Sequence, residues 1–351
     1  MPVARLSIYH VTMNPLLDSN FTTDDLELRN LLSTTWGKNF LEELWTKYSP
    51  FVTDHRRFIA GMKDQPFTRI WEMYLGCALS ECGVVLEPKG EAGPDIKLSR
   101  PRAWVEAVVS TDGRKAGLND QPTSRVPEVL LHESMWGGPP EDHIIWRWAT
   151  SIDEKRKKFK RYLDKGVVNH DEACVIGLNV HKTSFAQFDH QHTENHIPLI
   201  AKVLFGYGNC VVLQHHDRKG SRPPISIGGF HYQFRPRIFN ATPTDIFFQD
   251  ESSAISALIV CKEGFWSWHH RIPKSLSENF IVIHNPLAKT PLPRKWLRSG
   301  HEFWIEHGQM HKLIWLAGEE QALQSFELPF DLPTELRAKL DNHTIKGKAS
   351  C

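Results

Sequence analysis

The chain has 351 residues, 40% hydrophobic, 24% charged and 11% aromatic with twelve tryptophans, enough apolar mass for a sizeable buried core. A net charge of +1 gives no global attraction to nucleic acid, so any such binding has to come from a local basic patch. No apolar run is long enough to span a bilayer, the N-terminal MPVARLSIYHVTMN lacks a signal-peptide layout, and six cysteines without a CxxC pair indicate neither a disulfide framework nor a structural zinc site, so a reducing, cytoplasmic setting is the expectation.

In chain order, residues 23–49 predict helix, with Leu26, Leu28, Leu31, Leu32, Phe40, Leu41 and Leu44 at mixed three-and-four spacing. A second helix is predicted over 65–83, where Pro66 suits a first turn and Gly83 a C-terminal stop. Strands follow at 84–87, 94–98 and 103–110. Residues 111–140, rich in Gly, Pro, Asp and Ser, form a long loop of the kind that tends to carry function. Helix is predicted again over 141–165, ended by Gly166. The nearly continuous apolar run ACVIGLNV (173–180) then reads as a strand covered on both faces. A His-rich loop occupies 181–198, strands are predicted at 209–214, 255–260 and 279–285, and 285–296 is extended and Pro-rich. The last 35 or so residues predict a peripheral helix and a polar tail. No internal repeat interrupts this order, which points to helices on both faces of a mixed sheet.

Chemistry concentrates in EAGPDIKLSRPRAWVEAVVST, residues 91–111. With the turn centred between Arg100 and Pro101, cross-strand partners sum to 201, and Asp95 falls opposite Glu106. Such partners point to one face with Cβ atoms roughly 5 Å apart. Two carboxylates at that spacing repel, and a divalent cation offsets the repulsion. Mg²⁺ suits the place because it accepts a few carboxylate oxygens and leaves its other positions to water and phosphate. Glu72, between Trp71 and Met73 on the preceding helix, is a third acidic candidate in an otherwise apolar segment.

A helix bearing Glu, then GPD, then a return strand carrying VEA resembles the PD-(D/E)XK nuclease superfamily over about residues 65–180. The resemblance implies an α/β fold with a restriction-endonuclease-like mixed central sheet flanked by helices, and additional α/β elements after the core. It divides the chain into an N-terminal helical region (1–64), the nuclease-like core (65–180), a continuation of the same domain with extra strands (181–315), and a peripheral helix and polar tail (316–351). Asp95 and Glu106 match the family's acidic pair, with the Ala107 carbonyl as a further metal ligand, and Glu72 is placed like the helical glutamate that completes the site in many members. The implied activity is Mg²⁺- or Mn²⁺-dependent hydrolysis of phosphodiesters, with DNA as the partner.

The chain departs from the family pattern at Val108, where the pattern has lysine. On the 141–165 helix, Ser151, Lys155 and Lys158 lie on one stripe, and Lys155 resembles the lysine that some branches supply from the next helix. Ser151 and Lys158 are then candidate nucleic-acid contacts. Lys97 is a weaker source of the missing charge because it lies towards the turn. A solvated basic face is the plainer reading of EKRKKFKRYLDK, and it too supplies phosphate attraction. The alternative to an enzyme is a catalytically inactive nucleic-acid-binding protein of the same fold. A third reading, zinc bound by His190, His192 and His196 beside Glu194, rests on spacing alone. GFWSW (264–268) reads as core or lid before base stacking. No P-loop and no G-x-S-x-G motif is present.

Overall fold

The computed structural model describes residues 25–351 except 91, 113–140, 184–185, 187–196, 216–225, 239–241, 265–274, 317, 329–330 and 349–351, together with 16 and 23. The helical segment predicted over 23–49 is two helices, α1 (Leu26–Ser33) and α2 (Thr35–Tyr48). Asp25 caps α1. Thr34 stands between the helices in extended conformation, its hydroxyl accepting from the Gly37 N–H, so it starts a new helix and does not continue the old one. A further helix, α3 (His55–Asp64), is capped by Asp54. The next, α4 (Pro66–Glu81), begins on its proline and ends at Gly83, whose φ of +81° is the left-handed conformation that glycine adopts without penalty.

From α4 the chain passes through β1 (Val85–Glu87), β2 (Ile96–Arg100) and β3 (Ala103–Thr111), then α5 (Glu141–Asp164) and β4 (Ala173–Lys182). Neighbours β1, β2 and β3 are antiparallel, whereas β4 lies parallel to β3. The hairpin register is Ile96↔Val105, Lys97↔Trp104 and Leu98↔Ala103, the sum-to-201 pairing that the turn residues predict. After α6 (Leu199–Phe205), β5 (Tyr207–His215) and β6 (Ser226–Phe234) make a separate two-stranded sheet, as do β7 (Arg237–Ile238) and β8 (Thr242–Pro243).

The main sheet resumes with β9 (Ile255–Cys261), parallel to β4, and β10 (Ile281–His284), antiparallel to β9. It then continues through β11 (His301–Glu306), β12 (Gln309–Leu316) and β13 (Glu319–Glu327) to nine strands in the order β1-β2-β3-β4-β9-β10-β11-β12-β13. The last helix is α7 (Thr334–Lys348). The protein is therefore a mixed α/β structure with one large mixed sheet flanked by helices.

Two corrections concern the C-terminal third. Residues 319–327, expected within a polar tail, form the edge strand β13, which alternates exposed and half-buried positions and carries Leu323 at 58% exposure. An edge strand needs pairing on one side only, so it lacks the apolar signal by which buried strands are found. The β11–β12 hairpin also escaped the sequence reading. His307 and Gly308 both have positive φ (50° and 72°) between strands that pair up to Glu306↔Gln309, which is a two-residue turn of the kind that matches strand twist.

Side-chain alternation along β3 assigns the two faces of the sheet. Ala103, Val105 and Ala107 pack into the apolar layer beneath α1–α4, while Trp104 and Val108 pack under α5. Glu106 shares parity with Trp104 and Val108 and so faces α5. No described helix is long and apolar enough to cross a membrane.

Candidate functional site

The site lies where β2 gives out. Pairing with β3 begins at Ile96↔Val105, so Asp95, one residue earlier, stands opposite Glu106 just off the end of its strand. There its carboxylate turns back on β3, with Oδ2 accepting from the Ala107 N–H at 2.9 Å. A strand residue's N–H and C=O point to the same side, so the Ala107 carbonyl is directed to this edge as well.

Glu106 is fully buried. Lys155 Nζ donates to its Oε1 at 2.8 Å, and Lys158 Nζ donates to the same oxygen. Both lysines come from one stripe of α5, separated from Glu106 by about fifty residues of chain. The other oxygen, Oε2, is buried with no hydrogen-bond partner among the described residues. Burial pushes the Glu106 carboxyl up and the Asp95 charge adds to this, while the two ammonium groups oppose it. Burial acts to lower the Lys158 ammonium, but the Glu106 carboxylate outweighs it and holds that lysine above its ordinary range. Val108, where the family pattern has lysine, is 9% exposed and packs with Ile144, Ile145, Trp148 and Ile152. The residue at 108 therefore supports α5, and α5 brings the ammonium groups.

Glu72 occupies the other side of the sheet edge. It is buried on α4, where Tyr48 Oη donates to its Oε1 at 3.0 Å and Arg69 Nη1 to its Oε2 at 2.6 Å. Tyr48 Oη also lies 3.3 Å from the Asp95 carbonyl oxygen. Lys89 bridges the two acids, 3.6 Å from Glu72 and 3.9 Å from Asp95. Burial first, then the Asp95 charge, pushes the Glu72 carboxyl from 4.5 up to about 7 against Lys89 and Arg69. Burial, then the Glu72 charge and the Asp95 charge, push the Tyr48 phenol well up.

The geometry brings Glu72 to Asp95 and not to Glu106. Among the described residues no group of three or more His, Cys, Asp or Glu side chains is placed to hold a metal ion. The reason is topological: α4 and α5 cover opposite faces, so Glu72 meets Asp95 around the strand end and does not reach Glu106. What remains is a set of two carboxylates and one carbonyl, with an unpartnered buried oxygen at Glu106. That donor set fits a hard divalent cation that keeps water positions, such as Mg²⁺ or Mn²⁺, and does not fit the closed sulfur and nitrogen shell of structural zinc.

Of the other candidates, Ser151 donates to the Ser110 hydroxyl on β3 at 3.2 Å, which ties α5 to the sheet. Lys97 pairs with Glu87 at 2.9 Å, away from them. His190, His192 and His196, and residues 265–268 of GFWSW, lie outside the described residues.

Asp95, Glu72 and Lys158 line an open cleft of about 530 Å³ between α3, α4 and the C-terminal part of α5. Its cations are Arg57, Arg69, Lys89, Lys158, Arg161 and Lys165, against the acids Asp54, Glu72 and Asp95. In a chain of near-zero net charge this is the local basic patch that nucleic-acid binding would need. Sequence reasoning missed Tyr48, Arg69 and Lys89. Arg69 was within reach through its i,i+3 spacing to Glu72, whereas nothing local marks Tyr48. Compared with known proteins, the chain matches no family model, no curated protein and no solved structure.

Proposed function

We propose that the protein is a divalent-metal-dependent nuclease that hydrolyses phosphodiester bonds of DNA, with a site resembling that of the PD-(D/E)XK superfamily. The observation that carries this reading is the hairpin register, which sets Asp95 opposite Glu106 while two lysines from α5 reach the buried acid. The element order α4-β1-β2-β3-α5-β4, with β4 parallel to β3, supports the same reading.

In this reading Asp95, Glu106 and the Ala107 carbonyl would hold the cation, which when bound would supply Lewis-acid polarisation of the phosphate and of water. Water attacks phosphorus in line with the leaving oxygen and the P–O bond to that oxygen breaks; the water's oxygen becomes the new phosphate oxygen, one of its protons passes to the departing oxygen, and the other stays on the phosphate or leaves to solvent. Lys155, fixed by Glu106, brings positive charge to the phosphoryl oxygens in place of the strand lysine that Val108 displaces. Removal of a group that stabilises developing charge in this way costs about 10²–10³ in kcat. Lys89 and Arg69 offset part of the repulsion between Asp95 and Glu72.

A second reading, a nucleic-acid-binding protein without catalysis, is favoured by one observation. The Glu106 oxygen that two ammonium groups share is already neutralised without a metal. One assay separates the two. Purified protein is incubated with labelled DNA and RNA in Mg²⁺ or Mn²⁺, beside Asp95→Asn and Glu106→Gln. Cleavage by the wild type that either variant abolishes supports the enzyme. Intact substrates in every lane sink it in favour of the binding protein.

A further inference from the structure

The cations of the cleft fall into two sets. Arg69 and Lys89 are engaged with Glu72, which lines the cleft, and Lys158 with Glu106, buried behind it. Arg57, Arg161 and Lys165 line the same cleft, are exposed, and form no ion pair among the described residues. Arg57 stands in the first turn of α3 on one wall, while Arg161 closes α5 and Lys165 follows its last residue on the other. With six cations against Asp54, Glu72 and Asp95, the cleft carries an excess of positive charge suited to an anionic ligand.

The shape of that charge says which anion. Lys155, Lys158, Arg161 or Tyr162, and Lys165 recur at intervals of three and four, so they form one stripe along α5 from the acids to the mouth. At 1.5 Å per residue, Lys158 to Lys165 spans about 10 Å, the length of about three stacked nucleotides of one strand at roughly 3.4 Å each. The volume of about 530 Å³ is that of a small-ligand pocket. A volume of that size matches one or two nucleotides. Since Glu106 is fully buried and Asp95 exposes only 17% of its side chain, a reacting phosphate has to descend between those walls. Tyr162 lines the path and offers aromatic surface for a base.

We propose that the cleft binds an unpaired strand of nucleic acid, its phosphates running along α5 from Lys158 at the acids to Arg161 and Lys165 at the mouth, with Arg57 on the facing wall. This rests on the nuclease reading and deepens it by naming an unpaired strand as the substrate.

Fluorescence anisotropy on the full-length protein in EDTA, where cleavage is blocked, tests the proposal with a single-stranded DNA, a duplex of the same sequence and a single-stranded RNA. Tighter binding of either single strand than of the duplex, by tenfold or more, is expected. The double variant Arg161→Gln/Lys165→Gln removes two phosphate contacts. Its slope of log K against log salt falls in magnitude by about 1.4, which is about 25-fold in affinity at 0.1 M salt. Tyr162→Ala weakens single-strand binding while Tyr162→Phe retains it. Duplex bound as tightly as either single strand, or a double variant with unchanged affinity and slope, overturns the proposal. If single strands bind as expected yet remain uncut in Mg²⁺ and Mn²⁺, the nuclease reading fails and the strand site stands. Cleavage confined to duplex, without single-strand binding, keeps the nuclease reading and removes this one.

Discussion

Glu72 carries a prediction whose size follows from its surroundings. Its side chain is 1% exposed, and burial together with the Asp95 charge raises its pKa from 4.5 to about 7 although Lys89 and Arg69 oppose the shift. Between those pH values the folded protein holds a proton that the unfolded chain releases. The resulting stabilisation is fully present below pH 4.5 and is lost as pH rises through about 7. At 1.36 kcal/mol per unit, the shift amounts to about 3 kcal/mol. Glu72→Gln keeps an oxygen for Tyr48 and Arg69 but has nothing to titrate. Urea unfolding of both proteins, followed by tryptophan fluorescence, gives the stability difference at each pH. Relative to the wild type, the variant should gain about 3 kcal/mol between pH 4.5 and about pH 8, most steeply near the middle of the window between the two pKa values and levelling off above about 7. A difference that stays flat across that range refutes the claim that burial outweighs the two cations. Repeating the series in saturating Mg²⁺ then tests the geometry. If Glu72 stands outside the metal set, the pH dependence is little changed; its disappearance would put Glu72 among the ligands.

Other consequences are open to direct measurement. Lys155→Met should slow single-turnover cleavage by about 10²-fold or more; wild-type rates in that variant would transfer the role to Lys158. Val108→Lys inserts an ammonium into the apolar layer under α5 and should cost about 2 kcal/mol or more in urea unfolding. Combined with Lys155→Met, it should fail to restore cleavage, and restoration would show that α5 is not needed to position the charge. Gly76→Ala places a Cβ 2.4 Å from the Tyr48 ring and should cost about 1–3 kcal/mol by overpacking. Because that ring holds Glu72 and the Asp95 carbonyl, the same variant should also weaken the pH dependence described above, and an unaltered profile would uncouple Tyr48 from the site.

The features legible in the chain without its fold are those written in neighbouring residues. Pro66 and Gly83 bracket α4, and the SRPR turn with its flanking alternation fixes the register that faces Asp95 with Glu106. The three-and-four spacing of 151, 155 and 158 puts one stripe of α5 on offer, though not which members of it touch the acid. Period and turn chemistry are local, so they survive without a fold around them. Tertiary structure decided the rest. That both lysines share one Glu106 oxygen, that Tyr48 donates to Glu72 across the sheet edge, and that Arg57 and Arg161 line one cleft are relations between elements tens of residues apart. Such relations follow from which face of the sheet each helix covers, and no periodicity within a single element records that choice. The valine at 108 shows the division most plainly. Its sequence announces a missing charge, and only the packing of α5 upon it brings two lysines to Glu106.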